Sequence, residues 1–278
     1  MWHLTKIPKN AHFFWDDRPL SFLRWLSVYS FSTLNPDWNI KFHITKRQHN
    51  PSWPSQNNKH VFIKNDYRGW LKNINAIEIA EETDLPNLHG VHQSDILRNR
   101  YLSSEGGLWS DIDILYYKPM HKLTCNKPEN NEFDCGLCIT GSQGWMPIAF
   151  MLGAPKSSYY QDVYNHQLSI LRTSGNRGNY QKFGTKVYKN ILNTKLYPFF
   201  KINPKEIYQC NWRRHGTIFA GNIDLGMGIG IHWYGGSPSA AAFEPIINHD
   251  NWNEFPIKRI IEVTYETQNH GSHPNINS

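Results

Sequence analysis

The stretch HQSDILRNRYLSSEGGLWSDIDILYYKPM, residues 92–120, decides the fold of this chain and the place of its chemistry. It sets four acidic residues, two arginines and a double glycine among apolar, β-prone residues; the acids are Asp95, Glu105, Asp111 and Asp113. Charged groups are costly to bury unless they are paired or bound to a cation. A run with this much charge therefore indicates a site rather than ordinary packing.

The first part of the run is a predicted helix over residues 95–105. Ser94 is its expected cap, and Gly106-Gly107 is its expected stop. Asp95 and Arg98 are three residues apart, so they share one face of such a helix. The plain alternative for this pair is a solvated surface ion pair.

The second part, residues 108–115, is a predicted strand that leaves the glycine turn. Alternate side chains of a strand point the same way, so we expect Trp109, Asp111 and Asp113 on one face. The two aspartate α-carbons would be about 6.5 Å apart, close enough for their oxygens to converge on one cation. Mg²⁺ and Mn²⁺ prefer such oxygen ligands.

The composition is that of a folded protein. The chain has 278 residues, of which 39% are hydrophobic and 19% charged, and this length suits a single α/β domain. We expect one domain over residues 1–265, with halves at about 1–120 and 121–265, and a polar tail at 266–278.

The charge and hydropathy of the sequence indicate which partners and which location to expect. The formal net charge of +6 favours anionic partners, but the basic residues are scattered, so we expect no nucleic-acid partner. No apolar run approaches the ~20 residues of a membrane span. Residues 1–10 lack the apolar core of a signal peptide. We expect a cytoplasmic protein without a transmembrane segment, at most peripheral to a membrane.

The four cysteines are few for a secreted disulfide scaffold. Cys135 and Cys138 have the spacing of half a zinc site, but no second close pair of ligands follows. Structural zinc and ordinary buried thiols are both compatible with this spacing, and the sequence favours the thiols.

The N-terminal pattern predicts a strand at residues 11–15, a helix from residue 22 to Asn35-Pro36, and a strand at 38–44. This βαβ order indicates an α/β fold with a mostly parallel mixed sheet flanked by helices. Further helices are predicted at 67–82, 160–171 and 182–192. Loops are predicted at 48–60, 124–134 and 172–180, and any of them would serve as a mobile lid.

Taken together, these motifs resemble a known family. The signature S-D-x-x-R, L, G-G-x-[YW]-x-D-x-D and P of the DXD-containing sugar transferases is matched by Ser94-Asp95-Ile96-Leu97-Arg98, Leu102, Gly106-Gly107-Leu108-Trp109-Ser110-Asp111-Ile112-Asp113 and Pro119. The opening IPK, His12, Trp15 and NPDW segments also resemble this family. It includes fungal outer-chain-initiating α-mannosyltransferases and, more distantly, the glucosylating domains of large clostridial toxins. The likeness covers about residues 5–120 and is weak from 145 to 240.

The resemblance implies a single GT-A type nucleotide-sugar-binding domain. It also implies a metal-dependent, retaining glycosyltransferase that uses Mn²⁺ or Mg²⁺. The donor would be a UDP- or GDP-sugar, and the acceptor a hydroxyl of a glycan, polysaccharide, lipid or protein.

The resemblance assigns roles to the charged residues of the run. Asp95 and Arg98 would bind donor hydroxyls or the diphosphate. Asp111 would contact the ribose and the metal, and Asp113 would ligate the metal directly. Both aspartates are therefore the candidate catalytic residues.

Two aromatic residues receive donor-side roles from the same resemblance. Trp15 would stack on the nucleotide base, with core packing as an equal alternative. Trp109 holds the aromatic position before the DXD triplet, with packing against the next layer as its alternative. The glycines common after the N-terminal Trp are replaced here by Asp16-Asp17-Arg18.

Residues 230–238, GIHWYGGSP, look like the closing H-x-W-x-G-S-W loop of the family, with Pro238 in place of the last Trp. His232 or Ser237 would complete the shell around the metal or the diphosphate. A structural role is the alternative for His232, since a lone His is more often a satisfied structural residue.

Two other functions compete with sugar transfer. A phosphatase that carries D-x-D after its first strand is disfavoured, because that strand would lie near the N-terminus. A non-catalytic carbohydrate-binding protein would explain the many aromatic residues, but sugar stacking does not require paired carboxylates with an arginine.

Overall fold

The computed structural model describes residues 4–45, 64–85, 88–126, 132–139, 146–174 and 182–266. The loop predicted at 48–60 lies outside these ranges, as do residues 127–131 of the loop at 124–134 and residues 175–180 of the loop at 172–180. The polar tail beyond residue 266 lies outside them too.

The N-terminal βαβ unit is confirmed. Strand β1 (Asn10–Asp16) and strand β2 (Asn39–Thr45) pair in parallel, and helix α1 (Phe22–Leu34) connects them. The Ser21 side chain caps α1 by accepting a hydrogen bond from the Arg24 amide.

The remaining elements follow in chain order: β3 (Ile77–Glu82), α2 (Gly90–Ser104), β4 (Gly107–Ser110), β5 (Ile114–Tyr116), β6 (Cys125–Asn126), β7 (Cys135–Cys138), β8 (Phe150–Gly153), α3 (Ser158–Ser174), α4 (Thr185–Leu192), β9 (Phe199–Ile202), α5 (Gly216–Phe219), β10 (Gly230–His232), α6 (Pro238–Phe243) and α7 (Lys258–Glu266). Short 3-10 helices occur at Arg68–Asn73, Met120–Lys122, Pro204–Glu206, Trp212–Arg214 and Trp252–Glu254. Throughout the described ranges, the helices are too short or too polar to traverse a lipid bilayer.

Eight strands form one mixed sheet in the order β3-β2-β1-β4-β8-β7-β9-β6. The block from β3 to β4 is parallel, and β8 joins it antiparallel to both β4 and β7. Strands β5 and β10 form a separate antiparallel pair. This pair matters for the site, because it joins residues 114–116 to the C-terminal third of the chain.

Helices cover both faces of the main sheet. Phe13 and Phe14 are consecutive in β1 and enter different apolar clusters, because neighbouring strand residues point to opposite faces. One cluster contains residues of α1 and α7, and the other contains residues of α2, α3 and α4. The architecture is therefore the predicted α/β arrangement, with helices on either side of a mixed sheet.

The cysteines of β7 fill both of these clusters. Cys135 and Cys138 are buried and belong to different clusters, on opposite faces of the strand. Since their sulfurs point apart, they cannot close one zinc site together. They act as the packed thiols that the sequence favoured.

The helix predicted at 67–82 is wrong over most of its length. A 3-10 helix covers Arg68–Asn73, Ala76 has a positive φ of 54°, and Ile77–Glu82 forms β3. Glu and Ala favour helices, but parallel pairing with β2 outweighs that local preference. Ile79 stays 45% exposed, as expected at the edge of a sheet.

Two local predictions within the charged run also need correction. Helix α2 begins at Gly90 with His89 as its cap, so Ser94 lies inside the helix. The predicted continuous strand at 108–115 ends at Ser110, and the chain turns at 111–113 before entering β5. The chain leaves the main sheet there and then joins the separate β5–β10 pair, so Asp111 and Asp113 lie in a turn between two sheets rather than on one strand face.

A buried polar chain lies between the parallel strands and α2. One ring nitrogen of His12 is 3.1 Å from the Gly106 carbonyl, and the other is 3.1 Å from His43. His43 in turn contacts Glu82, 2.8 Å away on β3. Burial and the neighbouring His43 lower the pKa of His12 to about 3, so His12 is neutral at physiological pH. The chain links three strands to the end of α2, just before the DXD turn.

Gly107 allows β4 to start directly beside β1. Its φ is +101°, and a Cβ at this position would overlap the Asn10 carbonyl oxygen. Gly106 has a φ of +70° and is equally crowded, by the backbone of residues 153–155. The double glycine thus ends α2 and admits a close backbone approach, as its stop role predicted.

We expect Gly107→Ala to destabilise the fold by at least about 2 kcal/mol, a fall in Tm of roughly 4–8 °C, because both the backbone angle and the space forbid a side chain. Thermal unfolding followed by circular dichroism measures this. Gly69→Ala is the matched control, since no atom lies within 4 Å of a Cβ at that position. Equal melting temperatures for the two variants would contradict the close approach of β4 to β1.

Candidate active site

The candidate site lies where β1 and β4 end. Both strands are parallel, and Trp15 and Asp111 stand at or just past their carboxyl ends. Such edges of parallel sheets are the usual place for ligand sites. Helix α2 runs alongside and supplies the buried pair Asp95 and Arg98.

Asp113 is held by the loop that follows β10. The Gly235 amide donates to its Oδ2 at 2.7 Å, and the Trp233 amide donates to its carbonyl at 2.9 Å. In the β5–β10 pair, His232 stands opposite Ile114, next to Asp113 in the chain. This register brings the C-terminal third onto the DXD turn.

One oxygen of Asp113 is left for a ligand. His232 Nε2 lies 3.0 Å from Asp113 Oδ1. Within the described residues, this Oδ1 is buried with no hydrogen-bond partner, and so is His232 Nδ1. Unsatisfied buried polar atoms are costly, so Asp113 Oδ1, together with His232 Nε2 beside it, is a candidate for binding something the chain does not itself supply.

The pair fits a hard divalent cation. Two neighbouring ligands of an octahedral Mg²⁺ at ~2.1 Å lie about 3.0 Å apart, as these two atoms do. Among the described residues, no group of three or more His, Cys, Asp or Glu side chains forms a complete metal cage. A metal here would complete its shell with water and donor phosphate oxygens, as Mg²⁺ commonly does.

Asp111 faces the α2 side of the site. Its Oδ1 accepts hydrogen bonds from Arg98 Nη2 and Trp109 Nε1, each at 2.9 Å. Its side chain is 32% exposed, against 15% for Asp113. Asp111 is therefore oriented by two donors while it still faces solvent.

The pKa values of the two DXD carboxylates are shifted in opposite directions. Burial raises the pKa of Asp111; Arg98 opposes this rise and the charge of Asp113 adds to it. Burial also disfavours the Asp113 carboxylate, but His232, Arg24 and the Gly235 amide outweigh burial and lower its pKa. Asp113 thus stays ionised and suits a cation, as the metal-ligand prediction requires.

Asp95 and Arg98 form the buried pair predicted from their spacing, and it is not the solvated surface pair. Their closest atoms are 3.3 Å apart, and both side chains are almost fully buried. Burial, opposed by Arg98, raises the pKa of Asp95 from 3.8 to about 7. Arg98 Nε has no hydrogen-bond partner among the described residues, so this cation also has a donor to spare.

The structure packs Trp15 between cations. The guanidinium carbons of Arg18 and Arg24 each lie 4.3 Å from its ring centroid, and its Nε1 donates to the Arg18 carbonyl. Arg18 is 40% exposed and Arg24 only 13%. A base that stacks on Trp15 would compete with the exposed Arg18.

Arg24 is a site residue that sequence reasoning missed. It forms a two-point ion pair with Glu244 and stacks near Trp15 and Trp233. A Cβ on Gly235 would come within 2.5 Å of Arg24 Nη2, so the glycine makes room for the guanidinium. The available signal was a lone arginine inside the apolar run of α1.

Two predicted site residues have clear structural tasks. Ser237 is fully buried, and its hydroxyl caps α6 by accepting from the Ala240 amide. Trp109 is fully buried in the cluster with α2, and its ring lies 5.4 Å from the Arg98 guanidinium. Trp109 therefore packs and also orients Asp111, whereas a donor contact by Ser237 stays a prediction.

Residues 21–131 match the family described as glycosyltransferase sugar-binding region containing DXD motif. Asp111-Ile112-Asp113, the one D-x-D triplet of the sequence, lies inside that range. Over this segment the chain is similar to the DXD-containing glycosyltransferases. The family match favours sugar transfer from a nucleotide-sugar donor over the phosphatase and over the non-catalytic sugar-binding protein. No curated protein matches the chain.

Solved glycosyltransferases share the fold. The glycosyltransferase GlyE of Streptococcus pneumoniae TIGR4 aligns over 97% of this chain and 66% of its own, with a TM-score of 0.51 and 10% identity. The galactosyltransferase LgtC, solved with donor and acceptor sugar analogues, aligns over 96% of this chain and 98% of its own, with a TM-score of 0.47 and 13% identity. The PaToxG glycosyltransferase aligns over 67% of this chain and 69% of its own, with a TM-score of 0.47 and 18% identity. The chain thus shares its overall fold with GlyE and spans about two thirds of the length of GlyE.

The raised pKa of Asp95 makes a prediction for stability. The folded chain keeps a proton on Asp95 that the unfolded chain releases between about pH 4 and pH 7, so wild-type stability falls as pH rises through that window. Asn cannot ionise. We therefore expect Asp95→Asn to raise Tm relative to wild type more at pH 8 than at pH 5, as measured by scanning calorimetry.

Asp84→Asn is the control, because the pKa of Asp84 is shifted in the opposite direction to that of Asp95. Its hydrogen bond with Arg100 lowers the pKa of Asp84. We expect this variant to gain nothing at pH 8. An Asp95→Asn variant that is equally destabilised at both pH values would show that the Asp95 carboxylate is well satisfied in the fold.

Proposed function

We propose that this chain is a metal-dependent, retaining glycosyltransferase. It would move a sugar from a UDP- or GDP-sugar to a hydroxyl of a glycan, polysaccharide, lipid or protein. The observation that carries the proposal is the buried, unpartnered Asp113 Oδ1 beside His232 Nε2, inside the DXD segment of a glycosyltransferase fold.

Asp113 and His232 would hold Mn²⁺ or Mg²⁺, with Asp111 close by. The cation, when bound, neutralises negative charge on the donor diphosphate. The loop from His232 to Gly235 fixes the Asp113 carboxylate before any donor arrives. Such preorganisation avoids the cost of arranging the site during the reaction.

The donor would lie across the α2 side of the site. Arg98 offers its unpartnered Nε, and Asp95 accepts or donates a hydrogen bond according to its protonation. Trp15 would take the base in place of Arg18. Arg24 adds positive charge next to Asp113 without leaving Glu244.

The sugar transfer needs no nucleophilic side chain of the protein. The bond between the anomeric carbon and the diphosphate oxygen breaks, and its electron pair leaves with the diphosphate. The acceptor hydroxyl oxygen bonds to the anomeric carbon on the same face, and its proton passes to the leaving diphosphate. The task of the protein is then to hold the two substrates against each other.

The two halves expected from the sequence divide this work. Residues 1–120 supply Trp15, Asp95, Arg98 and the DXD turn, and would bind the nucleotide sugar. Residues 121–265 would supply the acceptor side, with His232 and Gly235 as the points where the halves meet.

Asp113→Asn and Asp111→Asn test the proposal. We expect each to lower Mn²⁺-dependent hydrolysis of a nucleotide sugar by at least about 100-fold, the scale of losing one preorganised charge-stabilising group. The assay measures nucleoside diphosphate release from UDP-glucose, UDP-galactose and GDP-mannose, with and without EDTA.

Asp250→Asn is the control, because the Asp250 side chain is 75% exposed and contacts only the neighbouring His249 among the described charged residues. Melting temperatures close to wild type would show that the DXD variants remain folded. Hydrolysis that survives Asp113→Asn, or that ignores EDTA, would end the metal-dependent assignment.

A further inference from the structure

Trp212 is an exposed aromatic residue close to the candidate site. Its exposed fraction is 48%, and it is the one aromatic among the large apolar side chains that the described ranges leave exposed. It begins the 3-10 helix Trp212–Arg214. An exposed indole ring offers a flat apolar face to a ligand.

The ring of Trp212 rests on the loop that holds Asp113. A Cβ on Gly236 would lie 3.9 Å from the outer edge of the indole, so the ring sits directly over this glycine. Gly235, the preceding residue, donates to the Asp113 carboxylate at 2.7 Å. One dipeptide therefore contacts both Trp212 and the DXD turn.

In the described part of the chain, neither of the two aromatic rings that contact Trp212 stacks flat against it. Tyr234 meets it at 5.7 Å between centroids and 89° between planes, and His215 meets it at 5.8 Å and 65°. Tyr234 also packs against His232, at 4.3 Å. The order from the DXD turn outward is therefore His232, Tyr234, Trp212, and the last of these faces solvent.

Two cations follow Trp212 in the same short helix. Arg213 and Arg214 are both exposed, and neither forms an ion pair with an acid in the described part of the chain. Most other arginines near the site are already paired: Arg24 with Glu244, Arg98 with Asp111, and Arg18 with Asp16. Unpaired guanidinium groups beside an open indole favour a ligand that has both an apolar face and a negative charge.

We propose that Trp212, Arg213 and Arg214 form the acceptor platform, and that they bind a sugar residue that carries a carboxylate or a phosphate. This inference rests on the proposed function. The flat face of the sugar lies on the indole, and the arginines hold the negative group. Since Gly236 joins the platform to Gly235 and Asp113, a hydroxyl of that sugar faces the reacting centre.

The position of Trp212 in the chain supports a role in binding the acceptor rather than the donor. The candidate donor residues on β1, α2 and the DXD turn come from residues 15–113, whereas Trp212 contacts the 232–236 loop from the C-terminal half of the chain. A second sugar at this place would approach the anomeric carbon from across that loop. The net charge of +6 also favours a negatively charged acceptor.

The test compares transfer with hydrolysis in the full chain. The donor is whichever of UDP-glucose, UDP-galactose and GDP-mannose the wild type hydrolyses fastest with Mn²⁺. The acceptors are methyl β-D-glucuronide, glucose 6-phosphate and the neutral methyl β-D-glucoside. The variants are Trp212→Ala, Trp212→Phe and the double change Arg213→Gln with Arg214→Gln, and the control is Leu196→Ala, at a side chain that is fully exposed.

We expect Trp212→Ala to lower the ratio of transfer to hydrolysis by at least about tenfold, the scale of one lost stacking contact, and Trp212→Phe to keep it within about threefold. The double arginine variant lowers the ratio for the charged acceptors and not for the neutral glucoside. Leu196→Ala matches wild type. Preference for the glucuronide or for the phosphate then tells which negative group the platform takes.

Three results would overturn the inference while leaving the proposed function in place: an unchanged ratio in Trp212→Ala, equal use of the neutral glucoside, or hydrolysis without transfer to any of the three acceptors. A wild type that hydrolyses none of the donors would instead remove the proposed function, and this inference with it.

Discussion

The site depends on how the chain grips Asp113. The carboxylate is reached from the C-terminal third, through the Gly235 amide and His232, and the Trp233 amide fixes the backbone at the same point. The antiparallel pairing of β5 with β10 makes these contacts possible. Without that pairing, the DXD turn would lack its closing loop, and neither an ionised Asp113 nor its neighbouring imidazole would be held in place.

The arrangement separates the tasks of two nearby carboxylates. Asp111 is tied to Arg98 and Trp109, and its pKa is raised; Asp113 is surrounded by positive groups and amides, and its pKa is lowered. In such a site Asp113 stays ionised and available to a cation, while Asp111 is oriented by its two hydrogen-bond donors. The orphaned atoms around it, on Arg98 and Asp113, are what a bound donor and cation would satisfy.

The sequence predicted β1, α1, β2 and the end of α2 well, because strong local signals coincided there. The apolar spacing of α1, the proline after it and the double glycine after α2 each matched what the structure required. Local signals failed where pairing decided the outcome. Ile77–Glu82 became a strand against its helix propensity, and the DXD acids lie in a turn because β4 ends at Ser110 and the chain then pairs with β10 in a second sheet.

Part of the site could also be predicted from local sequence signals. Asp95, Arg98, Asp111 and Asp113 lie within 19 residues of one another, so spacing alone grouped them. Arg24 and its partner Glu244 are 220 residues apart, and no pattern in one sequence predicts such a pairing. The motif at 230–238 suggested that His232 belongs to the site, whereas the cap made by Ser237 became visible only in the fold.

The most direct test of the account is a crystal structure of the protein soaked with Mn²⁺ and a nucleoside diphosphate, with anomalous data collected at the manganese edge. The account predicts one manganese peak within bonding distance of Asp113 Oδ1 and His232 Nε2, bridged to the diphosphate. Diphosphate bound elsewhere, or manganese absent from Asp113 while the nucleotide is present, would contradict it.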